Sequence, residues 1–121
     1  MQHPRAEVDL QIARVNMDKN NLTTARAALS RVLIEEPNNI SAIKLNADLQ
    51  DREFRRNSIL LAARTCAVRD QWTCVWRNAG DALVIDPSNP EAKQLLTQAR
   101  WQSELDSRTG VTPPLGIKRA P

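Results

Sequence analysis

Two cysteines, Cys66 and Cys74, are the first residues in this chain whose type and spacing could do chemistry. They lie symmetrically about Asp70, in a predicted turn, Arg69-Asp70-Gln71, between two helices. Residues equidistant from a helical-hairpin turn face each other, which brings their Cβ atoms within reach of a disulfide. Closing so short a loop stabilises by roughly 2–3 kcal/mol in the chain-entropy account. A disulfide implies an oxidising compartment such as a periplasm or an extracellular space. The alternative is two buried free thiols acting as small hydrophobes; the disulfide is the preferred reading. Zinc has little support, because only His3, far away in the terminus, could join the cysteines. Catalysis finds no foothold either. There is no histidine near a nucleophile, no glycine-rich phosphate loop, and no carboxylate pair distinct from ordinary surface charge. The chain reads as a non-enzyme without a cofactor.

The arginines Arg52, Arg55, Arg56, Arg64 and Arg69 form the strongest argument for nucleic acid, but Asp48, Asp51, Glu53 and Asp70 interleave with them. A solvated helix face with internal ion pairs is the better reading. The net charge of +3, from 17 Lys and Arg against 14 Asp and Glu, is ordinary for solubility. No apolar run is long enough to span a bilayer. Met1-Gln2-His3-Pro4-Arg5 carries no apolar leader. The expectation is a periplasmic or exported protein whose leader is not in this chain, with a cytoplasmic location as the alternative.

The elements that must position these residues are helices. Aromatics make up only 3% of the 121 residues, Gly is rare, and Ala and Leu dominate the apolar set, so the expected class is all-α. Six helices are predicted. The first, over residues 6–18, uses Val8, Ile12, Ala13 and Val15 as its apolar face, and the second carries Leu22, Ala25, Leu29, Val32 and Leu33 up to Glu36-Pro37. The third, about 41–51, ends at the polar cluster Gln50-Asp51-Arg52-Glu53, and the fourth covers about 55–68. The fifth places Trp72, Trp76, Ala79, Gly80 and Leu83 on one side, with both tryptophans in the core. Asp86-Pro87 ends it; Asn89 then caps the sixth helix, Pro90 opens it, and it runs to about Ser107. The expected division is a helical domain over 1–107 and a flexible tail over 108–121, rich in Pro and Gly.

Unit starts at Ala6, Ile40 and Thr73 give periods of 34 and 33, with small residues recurring at Ala13, Ala47 and Gly80. In this register the chain resembles the tetratricopeptide repeat family over about residues 6–106. Trp76-Arg77-Asn78-Ala79-Gly80 and Leu83 match the first helix of that motif, and Ala92, Leu96 and Ala99 match the second. The first unit matches through Ile12-Ala13, Ala25, Leu29 and Pro37. The middle unit departs, with Ile59 where Ala is usual and Gln71 in place of the terminal proline. A pairing of the fourth helix with the fifth, ending in Asp86-Pro87, is a second possible register.

The resemblance implies a right-handed superhelix of three helical hairpins and a role in protein–protein interaction, with a partner peptide or helix held in a concave groove. The groove candidates are Leu10, Arg14 and Met17, then Lys44, Asp48 and Asp51, then Arg77, Asp81 and Val84. Arg14, Lys44 and Arg77 would anchor an acidic segment, against the plainer reading of a solvated face. The Lys, Asn and Arg clamp that some members use on carboxylate tails is absent. Trp101, with Leu105 one turn on, is a candidate exposed patch for a partner or a dimer, or for cover by Leu115 and Ile117 of the tail. These readings combine into an adaptor or assembly chaperone of a bacterial envelope pilus or secretion machine. The alternatives are a cytosolic co-chaperone with reduced cysteines and, from another class, a basic nucleic-acid-associated helical protein.

Overall fold

The structure, a computed structural model, describes residues 4–109, with side chains up to residue 107. Five helices account for nearly all of it: α1 (Pro4–Asp18), α2 (Leu22–Glu35), α3 (Ile40–Val68), α4 (Trp72–Ile85) and α5 (Pro90–Thr109). No strand occurs among the described residues, and the all-α class holds. Residues 110–121, most of the expected tail, lie outside the described part, as does His3, while α5 runs two residues past the expected boundary at 107.

The expected third and fourth helices are one. α3 continues for 29 residues through the polar cluster that was to end it. Polarity alone does not break a helix, and between Gln50 and Asn57 there is no Gly or Pro to do so. The charges there instead support it. Arg52 donates to Asp48 (3.0 and 3.2 Å) and Arg55 pairs with Asp51 (3.3 Å), both one turn back on the same helix. The middle hairpin of the expected three therefore does not form.

The chain divides into two compact units, Met1–Arg55 with Ile85–Ser88, and Arg56–Val84 with Asn89–Pro121. In the first, α1 packs on α2 through Ala6, Leu10, Ala13 and Met17 against Leu22, Ala25, Ala28, Leu29 and Val32. Ala42 and Leu49 of α3 complete that core, with Ile85 against it. The buried stripe of α1 follows i, i+4, i+7, i+11, and of the expected face only Ala13 belongs to it. Val8, Ile12 and Val15 are instead exposed. Ala6 and Ala13 let the helix backbones approach while Leu10 and Met17 fill the space between them, and together they take the inner face.

The second unit has two clusters. Cys66, Trp72, Val75 and Ala99 form one, with Ala67, Cys74 and Leu95 at its edge; Leu60, Ala82 and Ala92 form the other, with Ile59 and Leu83. The inward stripe of α4 is Trp72, Val75, Ala79 and Ala82. Trp76 lies one position round from it and is 47% exposed, not core.

The turns expose the real periodicity. Asn20 and Asp70, fifty residues apart, both adopt positive φ (59° and 55°). Each closes a helix by the same pair of backbone bonds: Asn21 N to Asn16 O and Asn20 N to Met17 O, then Gln71 N to Cys66 O and Asp70 N to Ala67 O. This is the Schellman arrangement, with Asn and Asp doing what Gly usually does. Fifty residues also separate Glu36-Pro37 from Asp86-Pro87, and Asn39, which caps Ala42 N (2.9 Å), from Asn89, which caps Ala92 N (2.8 Å). The buried pairs Leu10 and Leu60, Ala13 and Ala63, and Ala42 and Ala92 keep that spacing. The periods of 34 and 33 read from small residues are replaced by one of fifty.

Candidate interaction surfaces

Cys66 closes the last turn of α3 and Cys74 sits in the first turn of α4. Their Cα atoms are 5.8 Å apart and the sulfurs are within disulfide distance. The tight turn at Arg69-Asp70 produces this: its two backbone bonds reverse the chain and bring positions four before and four after Asp70 side by side. Neither cysteine is free.

The charged candidates fall in both units. Arg14 is exposed in the first, where it lines a concavity with Glu7, Leu10 and the loop residues Glu36, Asn38 and Asn39. Lys44 is exposed on α3, and Asp48 is engaged by Arg52. Leu10 and Met17, which the motif register assigned to a groove, are 8% and 2% exposed and belong to the core. In the second unit Arg77 and Asp81 are exposed one turn apart on α4, beside exposed Val84.

Sequence reasoning missed the strongest polar contacts. Arg26 donates to both oxygens of Glu53 (3.2 and 2.7 Å) and to Asn46 (2.7 Å). Arg52 also reaches the Met17 carbonyl (2.9 Å) at the end of α1 and Asn20 (3.2 Å). Arg31 pairs with the buried carboxylate of Asp9 (3.1 Å). Arg64 donates twice to Glu91 (2.5 and 2.6 Å); that hydrogen bond raises the Arg64 pKa and lowers that of Glu91. Long-range arginine pairing has no local sequence signal, so none of these could be read from spacing.

Trp101 is 55% exposed and forms one wall of a shallow hollow with Lys93, Gln94, Thr97 and Gln98, while Leu105 is half-buried. Trp76 lines a separate hollow with Thr73, Arg100, Ser103, Glu104 and Ser107. Among the described residues no group of three His, Cys, Asp or Glu could hold a metal ion, and no helix is long and apolar enough to cross a membrane.

Fold and surface together define an all-helical protein with one cysteine pair at disulfide distance and exposed tryptophans. Comparison with family models, curated proteins and solved structures finds no match.

Proposed function

We propose that this chain is a protein–protein interaction module of tetratricopeptide-like construction, an adaptor or assembly chaperone working in an oxidising compartment. The observation that carries the reading is the exposure of large apolar side chains, Trp76, Trp101 and Val84, beside charged helix faces. Two helix–turn–helix segments that end in Glu36-Pro37 and Asp86-Pro87 are consistent with the family's helical pairs. The cysteine pair supports the periplasmic or exported location over the cytosolic alternative. The nucleic-acid alternative is weakened because Arg52, Arg55 and Arg64 each hold a carboxylate of this chain.

The test is co-purification from the native host, beside a variant in which Arg14, Lys44 and Arg77 all become Glu. Loss of a specific partner from a variant that keeps its helical circular dichroism supports the charged faces as its docking surface and acidity as its specificity. Retention of the same partner moves the surface to Trp101 and Leu105. A count of two free thiols in denatured, unreduced protein would sink the oxidising compartment and leave the cytosolic reading.

A further inference from the structure

The helices that match across the fifty-residue repeat, α2 and α4, differ in what their outer faces hold. α2 is engaged within its own unit. Leu22 N at its start donates to the fully buried Asp86 carboxylate (3.2 Å). Arg26 is held by Glu53 and Asn46, and Arg31 by Asp9. On α4 the positions of those two arginines are taken by Trp76 and Asp81. Fifty residues after Glu53 and Asp9 stand Ser103 and Ile59, neither of them charged. Asp81, and Arg77 one turn before it, are exposed and hold no ion pair among the described residues.

Apolar exposure runs along the same face. Trp76 and Val84 are exposed, two turns apart, with Gly80 midway between them. Apart from proline, glycine is the least favourable residue for a helix interior. Nothing inside the unit requires it here: α4 is continuous through Gly80, and a Cβ at that position would meet no atom within 4 Å. The missing side chain leaves a notch between Trp76 and Val84, into which a second helix backbone can come close.

The face is also complementary to itself. Arg77 and Asp81 flank the notch on one side of the helix. Where two copies of α4 cross antiparallel at Gly80, a two-fold axis joins those flanks with the chain direction reversed. Arg77 of each copy then meets Asp81 of the other, Trp76 closes on Val84 of the other, and Gly80 lies against Gly80.

We infer that α4 pairs in this way with the same helix of a second copy of this chain. The inference rests on Trp76 and Val84 marking an interaction face, and it names the occupant. A single helix face is small for an interface, so the dimer is weak and reversible. Its two ion pairs lie at the rim, so salt weakens it further.

Sedimentation equilibrium on the oxidised full chain, from micromolar to millimolar concentration, tests this. The natural chain is expected to follow a monomer–dimer equilibrium. Gly80→Arg fills the notch without meeting any atom of its own unit. It should be monomeric throughout, with helical circular dichroism and a melting temperature in dilute solution no lower than the natural chain's. Arg77→Glu and Asp81→Arg, each alone, set like charges face to face and should weaken the dimer by roughly tenfold or more. An equimolar mixture of those two variants restores opposite charges at both pairs and should form a one-to-one dimer as tight as the natural one. A natural chain that stays monomeric at millimolar concentration overturns the inference. The interaction-module reading is then untouched, since co-purification of a different protein decides it separately. A dimer that survives Gly80→Arg, or charge variants that do not recover on mixing, also overturns the inference.

Discussion

In the first unit the turn between α1 and α2 is held by side chains. Asn21 accepts from Thr24 N (3.1 Å), Arg52 binds the Met17 carbonyl, and Arg26 ties α2 to Glu53 of α3. The equivalent turn of the second unit has the same backbone and different fastening. Cys66 and Cys74 stand fifty residues after Asn16 and Thr24, and Gln71 supplies its backbone carbonyl to Val75 N (3.0 Å). The cores differ in the same sense: Leu29 fills a fully buried position where the second unit has Ala79, also fully buried. The units bury similar alanines, but the first also buries Leu10, Met17, Leu22, Leu29, Val32 and Leu49 where the second has Leu60 and Val75, and it is the second that carries the cysteine pair at disulfide distance. Small cores leave less apolar surface to remove from water, and a cross-link compensates by limiting the unfolded chain.

The largest effect expected from erasing this difference is in the first core. Leu29→Ala makes that position like Ala79 and should cost about 2–5 kcal/mol in urea or thermal unfolding, through lost burial and the cavity left behind. Removing the cross-link, by Cys66→Ala with Cys74→Ala or by reductant, should cost roughly 2–3 kcal/mol. Hydrogen exchange should show the loss concentrated in the ends of α3 and α4, and equal loss of protection in α1 and α2 would break the contrast between the units.

A smaller and opposite effect is expected at the turns. Asp70→Gly relieves a non-glycine residue of positive φ and should stabilise by up to about 1 kcal/mol. Asn20→Gly should gain less, because the Asn20 side chain accepts from Arg52. Equal gains at both positions would mean that the Arg52 contact contributes nothing.

The smallest effect concerns Arg64 and Glu91, an exposed pair in the second unit. The hydrogen bond from Arg64 lowers the folded-state pKa of Glu91, so the folded protein holds its proton less tightly than the unfolded chain does. The pair therefore contributes fully above the ordinary glutamate range, and the contribution falls away as pH drops through that range to the lowered value. Glu91→Gln should lower the melting temperature slightly at neutral pH and converge with the natural chain at acid pH, which flattens the slight acid-side slope.

The helical class, both proline-ended corners, the Asn89 cap with Pro90 after it, and the proximity of Cys66 and Cys74 were all legible in the sequence, because each rests on local geometry or composition. The break expected after Gln50 was not real: charged residues were read as a boundary when ion pairs one turn apart make them helix-supporting. The α1 face was misassigned because Ala6, Leu10, Ala13 and Met17 compete with Val8, Ile12 and Val15 at nearly the same period. Repetition was sensed at the wrong interval, since small residues recur on many helix faces, while the Asn20 and Asp70 turns that fix the interval look unlike in sequence. Of the candidate surface, the exposure of Arg14, Lys44, Arg77, Asp81 and Trp101 was readable; the engagement of Asp48 with Arg52 and the burial of Leu10 and Met17 depended on packing between helices.

The bond from Leu22 N to the Asp86 carboxylate spans 64 residues of chain. A first unit that needs Ile85–Ser88 cannot be finished when its own contiguous sequence leaves the ribosome. During synthesis α1, α2 and the first half of α3 wait, with the start of α2 uncovered, until the loop that closes it has been translated. Order of emergence and order of completion are therefore reversed, and a chain stopped before Asp86 leaves the Leu22 N–H, in the part it had already made, without its buried acceptor.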